Sequence, residues 1–285
     1  MDDLRMRGVN SLDRVERLKR ISNNIRKDII EMSYLCGRAA HPGPALSCAD
    51  IVAALYFDVM RFDPTDCGAP DRDRFILSKG HACPAQYAAL TEMGLVSKKD
   101  YPALRHTDAV LQGHPTYHKT PGVDMTTGSL GNGLGIGLGM AYYLKQTGSD
   151  SRVYVILGDG EINEGTVWEA VMCAPALKTG NLTAVVDING FQSCGACKDI
   201  LPTPDLKALW SGFGWDVIEI DGHNMSQILE AFDRTKGCRE NPTVILARTV
   251  KGKGVSFMEN DNAWHQHMLT EEQFNRAMKD LEVTQ

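Results

Sequence analysis

The sequence predicts an α/β fold: a single three-layer domain spanning 1–285, with a parallel β-sheet between two layers of helices. Three observations point there. Val153-Tyr154-Val155-Ile156-Leu157 and Leu182 to Val186 are short, unbroken apolar runs, the signature of strands buried on both faces. A helical stretch, Glu164 to Lys178, separates them. The alternation continues with a strand at 216–220, a helix at 225–235 and a strand at 243–249. Strands alternating with helices imply a parallel sheet with helices on both faces.

The remaining elements follow in chain order. Ser11 to Gly37 reads as a long amphipathic helix, because Leu18, Ile21, Ile25, Ile29, Met32 and Leu35 recur every three or four residues. Pro42-Gly43-Pro44 reads as a break, with Ser47 as N-cap of a second, mostly apolar helix from Cys48 to Met60. Phe75-Ile76-Leu77 is a short buried piece, followed by a helix from Cys83 to Met93 and a loop-rich stretch from Tyr101 to Val123. A helix is predicted over 131–144, irregular chain from 189 to Pro204, and a short helix near Leu206. No internal repeat, low-complexity tract or linker marks a domain boundary.

The glycines Gly128, Gly131, Gly133, Gly135, Gly137 and Gly139 do not fit a dinucleotide fingerprint, since the i+5 positions from Gly131 and Gly133 are Ile136 and Leu138. Each glycine inside a helix costs about 1 kcal/mol relative to alanine. Gly131, Gly135 and Gly139 share one helical face, and Gly133 and Gly137 another, which suits close backbone packing. Gly128 and the start of this helix are also placed to face a ligand.

Composition narrows the function classes. A net charge of −6 and a pI near 5.8 give no basic footprint for nucleic acid. No apolar run approaches the roughly 18 residues of a membrane span, and Met1 to Arg20 carries no signal-peptide core, so a cytoplasmic protein is expected. The eight cysteines are then expected as free thiols. Cys194-Gly195-Ala196-Cys197 is the one CxxC; it lacks the second pair or histidines of a structural zinc site, which leaves bystander thiols or a redox or adventitious metal role.

The most informative segment is Gly158-Asp159-Gly160-Glu161, followed by Asp187-Ile188-Asn189 at the end of the next strand. Asp159 and Asn189 fall at the C-terminal ends of two strands joined by one helix, the edge at which open parallel sheets bind ligands. A carboxylate and an amide oxygen suit Mg²⁺, a hard cation whose shell is completed by water and substrate phosphates. Gly158 and Gly160 let a bulky anion approach the backbone.

This strand–Gly-Asp-Gly–helix–strand–Asn pattern resembles the thiamine diphosphate signature. The resemblance implies that Asp159, the Asn189 side chain and the Phe191 carbonyl hold a metal, Mg²⁺ with Ca²⁺ or Mn²⁺ as substitutes, that clamps the cofactor's diphosphate. It widens when Ala40-His41-Pro42-Gly43, Ser78-Lys79-Gly80-His81, Gly113-His114-Pro115, the run Thr126 to Gly133, Gly158 to Gly165 and Lys251-Gly252-Lys253-Gly254-Val255-Ser256-Phe257 are read together. In this order they resemble the transketolase family over nearly the whole chain.

By that resemblance His41 and His114 contact the donor sugar and assist proton transfers. His81 binds the diphosphate, and Gly128 and Leu130 shape the pocket around the cofactor. Glu164 matches a glutamate buried between subunits. His265 matches a histidine reaching the diphosphate, although Gln266-His267 follows where glycine is commoner, leaving His265 or His267 for that role. Ser129 departs from the proline of many transketolases.

The glutamate that activates the aminopyrimidine lies, in this family, in the domain that follows. The sequence ends at Gln285 without it, so the resemblance implies the N-terminal subunit of a split transketolase. The expected reaction is transfer of a two-carbon ketol unit from a ketose, phosphorylated or otherwise anionic, to an aldose. The expected assembly is an α2β2 heterotetramer with a C-terminal subunit carrying that glutamate. Two alternatives remain at this point. One is another thiamine diphosphate enzyme, such as a 2-oxo acid dehydrogenase α subunit or a deoxyxylulose-phosphate synthase fragment. The other is a non-catalytic cofactor-binding subunit.

Overall fold

The computed structural model describes residues 11–202, 204–238 and 240–283. Helix α1 (Ser11–Leu35) opens the fold. It buries Leu18, Ile25, Ile29 and Met32, whereas Leu35, at its end, is exposed. Helix α2 (Pro42–Ser47) is a departure from the sequence reading: Pro42-Gly43-Pro44 starts a helix instead of breaking one. Proline at the first helical position has no N–H to waste and its φ is already helical. Ser47 therefore ends α2 and is not the N-cap of α3 (Ala49–Ala54); its hydroxyl donates to the Asp187 carboxylate at 2.6 Å. The expected helix to Met60 closes in a π-helical turn over Leu55–Val59.

Strand β1 (Arg74–Leu77) leads to α4 (Cys83–Glu92), and α5 (Asn132–Gln146) carries the glycine run. Then come β2 (Val153–Gly158), α6 (Gly165–Ala176), β3 (Leu182–Ile188), a hairpin of β4 (Phe191–Gln192) and β5 (Gly195–Ala196), and α7 (Cys197–Ile200). The chain finishes with α8 (Leu206–Gly212), β6 (Asp216–Asp221), α9 (Met225–Thr235), β7 (Thr243–Arg248) and α10 (Glu271–Val283). The hairpin and α10 were not anticipated from the sequence.

The sheet order is β1-β2-β3-β7-β6, every pair parallel. Side chains alternate between the two faces. Phe75, Leu77, Tyr154, Ile156, Val185 and Ile245 pack with α1, α3, α4 and α9. Ile76, Val155, Leu157, Val186 and Leu246 pack with α5, α6 and Trp210 of α8. This is a three-layer α/β arrangement. On α5, Gly133 and Gly137 face the sheet: a β-carbon at Gly133 would lie 2.5 Å from the Ser78 Cβ, and one at Gly137 2.6 Å from a Val155 methyl. Their absence of side chains sets the helix-to-sheet distance. Gly135 and Gly139 point outward and meet nothing within 4 Å.

The connection from β2 to β3 runs through α6 on one face, and that from β6 to β7 through α9 on the other. The two connections part between β3 and β7, so the crevice at the C-terminal ends of these strands is open to a ligand.

Candidate active site

Four strands deliver a polar or charged residue to that edge: Lys79 follows β1, Asp159 follows β2, Asn189 follows β3 and Lys251 follows β7. In register, Gly158 of β2 pairs with Asp187 of β3, so Asp159 and Asn189 leave the sheet side by side. The Asp159 carboxylate is buried and accepts the backbone N–H groups of Gly160 at 2.9 Å and Gly190 at 2.5 Å. Burial, then the neighbouring Asp187 charge, push its pKa up to about 6. Asn189 donates its amide N–H to Asp187 at 3.1 Å, and its Oδ1 accepts the Phe191 N–H at 3.1 Å.

This donor set fits a small hard cation. Asp159 is a buried negative charge held by two peptide N–H groups, and a cation beside it would relieve the desolvation that raises its pKa. Asn189 Oδ1 and the Phe191 carbonyl add neutral oxygens, as Mg²⁺ prefers. Among the described residues no group of three or more His, Cys, Asp or Glu side chains is placed to hold a metal, so a softer, nitrogen- or sulfur-rich centre is absent there.

Beneath these ligands lies a buried ionic pair that the sequence analysis assigned no role. Lys79 and Asp187 are in direct contact, and Lys79 also donates to the Pro44 carbonyl at 2.8 Å. Thr249 donates to the same carboxylate. Burial works against both charges, but each holds the other ionised: Lys79 is raised and Asp187 lowered. Glu161 is the second unassigned anchor. Its carboxylate accepts from Ser78 Oγ at 2.5 Å, Gly131 N–H at 2.9 Å and Gly158 N–H at 3.0 Å, joining the loops after β1 and β2 to the start of α5. Lys79, Asp187 and Glu161 all lie in segments that the sequence singles out, but no local pattern names their partners.

Above the edge, three imidazoles gather. Ring centroids of His41 and His81 are 5.3 Å apart, His41 and His265 5.6 Å, and His81 and His265 5.1 Å. His267 instead lays its ring on Trp264, 4.4 Å between centroids, and its backbone pairs in both directions with Ala40. That bridge brings the His265 segment to His41. His114 packs against Gly128, where a β-carbon would sit 3.0 Å from the ring.

All four histidines are held neutral. Burial is the main cause throughout. His41, with Arg105, His114 and Lys251 adding to burial, falls to about 4. His265, with Lys251 and His41 adding, falls to about 3. His81 is lowered by burial, then by His265 and Lys79; His114 by burial, then by Arg105. Lys251 donates to Asn262 Oδ1 at 2.6 Å and contacts His265 Nδ1 at 2.9 Å; burial brings its pKa down to about 8. These lowered pKa values keep the imidazoles neutral near pH 7, so each ring offers one N–H donor and one acceptor nitrogen beside a lysine poised near neutrality.

Leu130 is half-buried, and Glu164 is exposed, beside Gly131 at the start of α6. All eight cysteines are free. Cys197 is buried beside Asp159; burial, then that carboxylate, push its thiol up to about 12, so it is a protonated neighbour and not a thiolate. Cys194 is exposed in the turn of the hairpin.

Residues 19–284 match the family described as transketolase, thiamine diphosphate binding domain. The chain is 41% identical to a 6-deoxy-6-sulfo-D-fructose transketolase subunit of Clostridium sp. (strain MSTE9), covering 93% of this chain and 96% of that one. It is 38% identical to an apulose-4-phosphate transketolase subunit from Phocaeicola vulgatus, covering 94% of each. The fold superposes on transketolase from Leishmania mexicana with a TM-score of 0.86 at 28% identity, covering 93% of this chain and 41% of that one. The chain thus spans about two fifths of that solved transketolase and nearly the full length of the two subunits. Sequence and fold agree that this chain belongs to the transketolase family and corresponds to its thiamine diphosphate-binding domain.

Proposed function

We propose that the chain is the cofactor-binding subunit of a two-subunit transketolase, which moves a two-carbon ketol unit from a ketose to an aldose. One observation carries this reading: an oxygen donor set for a divalent cation (Asp159, Asn189, Phe191) shares one sheet edge with a group of half-buried, neutral histidines. When bound, thiamine diphosphate supplies the nucleophilic carbon that accepts and releases the ketol unit. The protein's own residues do the rest. Asp159, the Asn189 oxygen and the Phe191 carbonyl hold Mg²⁺, with Ca²⁺ or Mn²⁺ as substitutes. His81, His265 and Lys251 receive diphosphate oxygens as donors, and Gly128 and Leu130 border the cofactor ring. His41 and His114, neutral at pH 7, take and return protons at the sugar hydroxyls.

The partner is the subunit that supplies the rest of a transketolase, including the glutamate that activates the cofactor, in an α2β2 assembly. Glu164, exposed on this chain, would be covered there. The names of the two subunit relatives carry a phosphate and a sulfonate sugar, which supports an anionic ketose as donor. Free cysteines suit the reducing cytoplasm. Among the described residues no helix is long and apolar enough to cross a membrane.

The test is calorimetry of the purified chain with thiamine diphosphate and Mg²⁺, followed by reconstitution with the C-terminal transketolase subunit. Ketol transfer from xylulose 5-phosphate to ribose 5-phosphate is assayed, with Asp159→Ala as control. Transfer that needs both chains and cofactor is expected. Carbon dioxide release from 2-oxo acids instead, or no cofactor binding with the partner present, overturns the reading.

A further inference from the structure

Arg105 lies between the two turns that carry the sugar-side histidines. Its backbone has φ +69, a left-handed conformation that costs a side-chain-bearing residue roughly 1–2 kcal/mol. The Arg105 N–H donates to the Leu111 carbonyl at 2.9 Å, which holds the turn in place. From there the side chain runs past Gly113, where a β-carbon would lie 3.5 Å from Nε and 3.6 Å from Cγ. Its Nη1 ends on the Ala39 carbonyl, two residues before His41. One side chain thus spans the two turns, its Nη1 bonded to Ala39 and its stem passing beside Gly113, between segments that no backbone hydrogen bond joins among the described residues. Strained backbone that aims a side chain at a site is a known place for functional constraint.

We propose that Arg105 is a positioning residue of the sugar site, tying the His41 turn to the His114 turn and setting the gap in which the two imidazoles meet the ketose donor. The proposal rests on the transketolase reading. A planar fork with several N–H donors suits this bridge, since a second N–H remains to fix orientation after the first has bonded Ala39. The charge has a further effect. His41 faces Arg105, His114, Lys251 and the rings of His81 and His265; His114 faces Arg105 and, across the gap, His41. Arg105 is the cation acting on both sugar-side histidines, whereas Lys79 and Lys251 act on His265 and Lys79 on His81. Bridge and field together keep a pair of neutral imidazoles at a fixed spacing.

Two variants separate these roles in the reconstituted holoenzyme. Arg105→Gln removes bridge geometry and charge. It is expected to raise KM for xylulose 5-phosphate roughly tenfold with thiamine diphosphate affinity unchanged. It should also move the acid limb of kcat/KM up by roughly half a pH unit. Arg105→Lys keeps the charge without the fork, and is expected to return the acid limb to its wild-type place while KM stays high. The imidazole signals of the isolated holo-chain, followed by NMR from about pH 5 to 8, give a readout free of turnover. Those of His41 and His114 should begin to protonate in Arg105→Gln, and that of His265 should not. If neither signal moves, or if any kinetic loss follows loss of cofactor affinity, Arg105 has no positioning role. An inactive wild-type complex with the NMR shift intact would instead count against the transketolase reading alone.

Discussion

Asp187 fixes which way Asn189 faces. An ionised carboxylate only accepts hydrogen bonds, so the Asn189 group 3.1 Å from Asp187 is its N–H, and Oδ1 is turned toward Phe191, where we propose the cation sits. Lys79, Ser47 and Thr249 hold Asp187 ionised in a fully buried position. Groups behind a metal ligand commonly change metal affinity 10–100-fold when removed.

Asp187→Asn is therefore expected to weaken Mg²⁺-dependent thiamine diphosphate binding by about 10–100-fold. It also leaves the Lys79 ammonium buried without its counter-charge, a loss of about 3–5 kcal/mol. Calorimetric titration and urea unfolding measure the two effects. Unchanged cofactor binding would show that Asn189 does not depend on Asp187 for its orientation.

Mg²⁺ binding should weaken in acid. With a pKa of about 6, Asp159 is mostly protonated below that pH, and the cation must then displace a proton. The apparent Mg²⁺ affinity at pH 5 is expected to be about tenfold lower than at pH 7.5. Titrations at the two pH values check this, and a flat profile would show that Asp159 is ionised throughout.

Lys251 gives the opposite limb. Its ammonium loses its proton as pH rises through about 8, and an anionic diphosphate favours the charged form. Thiamine diphosphate binding at pH 8 should take up a proton, visible as a dependence of binding enthalpy on the buffer's ionisation heat. Lys251→Gln should abolish that uptake and weaken binding roughly tenfold.

The glycines of α5 should split into two classes. Gly133→Ala drives a β-carbon to 2.9 Å from the Ser78 Cα and should destabilise by about 1–3 kcal/mol. Gly135→Ala meets open space and should stabilise the isolated chain by up to about 1 kcal/mol. Denaturant midpoints decide it; equal effects would mean that α5 can shift off the sheet.

Strands and most helices were legible because their signals are local. The β3 run from Leu182 to Ile188 and the α9 stripe from Met225 to Thr235 have their observed limits in the sequence pattern itself. Pro42-Gly43-Pro44 misled, since proline disfavours a helix interior but suits its first turn, and the local sequence does not say which applies. The two-residue strands of the hairpin are too short to show a period, and their pairing closes only against the Asp159 turn, where a β-carbon on Gly160 would meet Gln192 at 2.5 Å.

The sequence by itself determined the sheet edge, with Asp159 and Asn189 at strand ends, because strand limits and the direction of a parallel sheet follow from periodicity along the chain. Only the tertiary structure decided what surrounds them. Lys79 meets Asp187 across 108 positions, Glu161 meets Ser78 across 83, and Arg105 reaches Ala39 across 66. Such pairings depend on which loops the packed layers bring together, and no local pattern in a single chain encodes that.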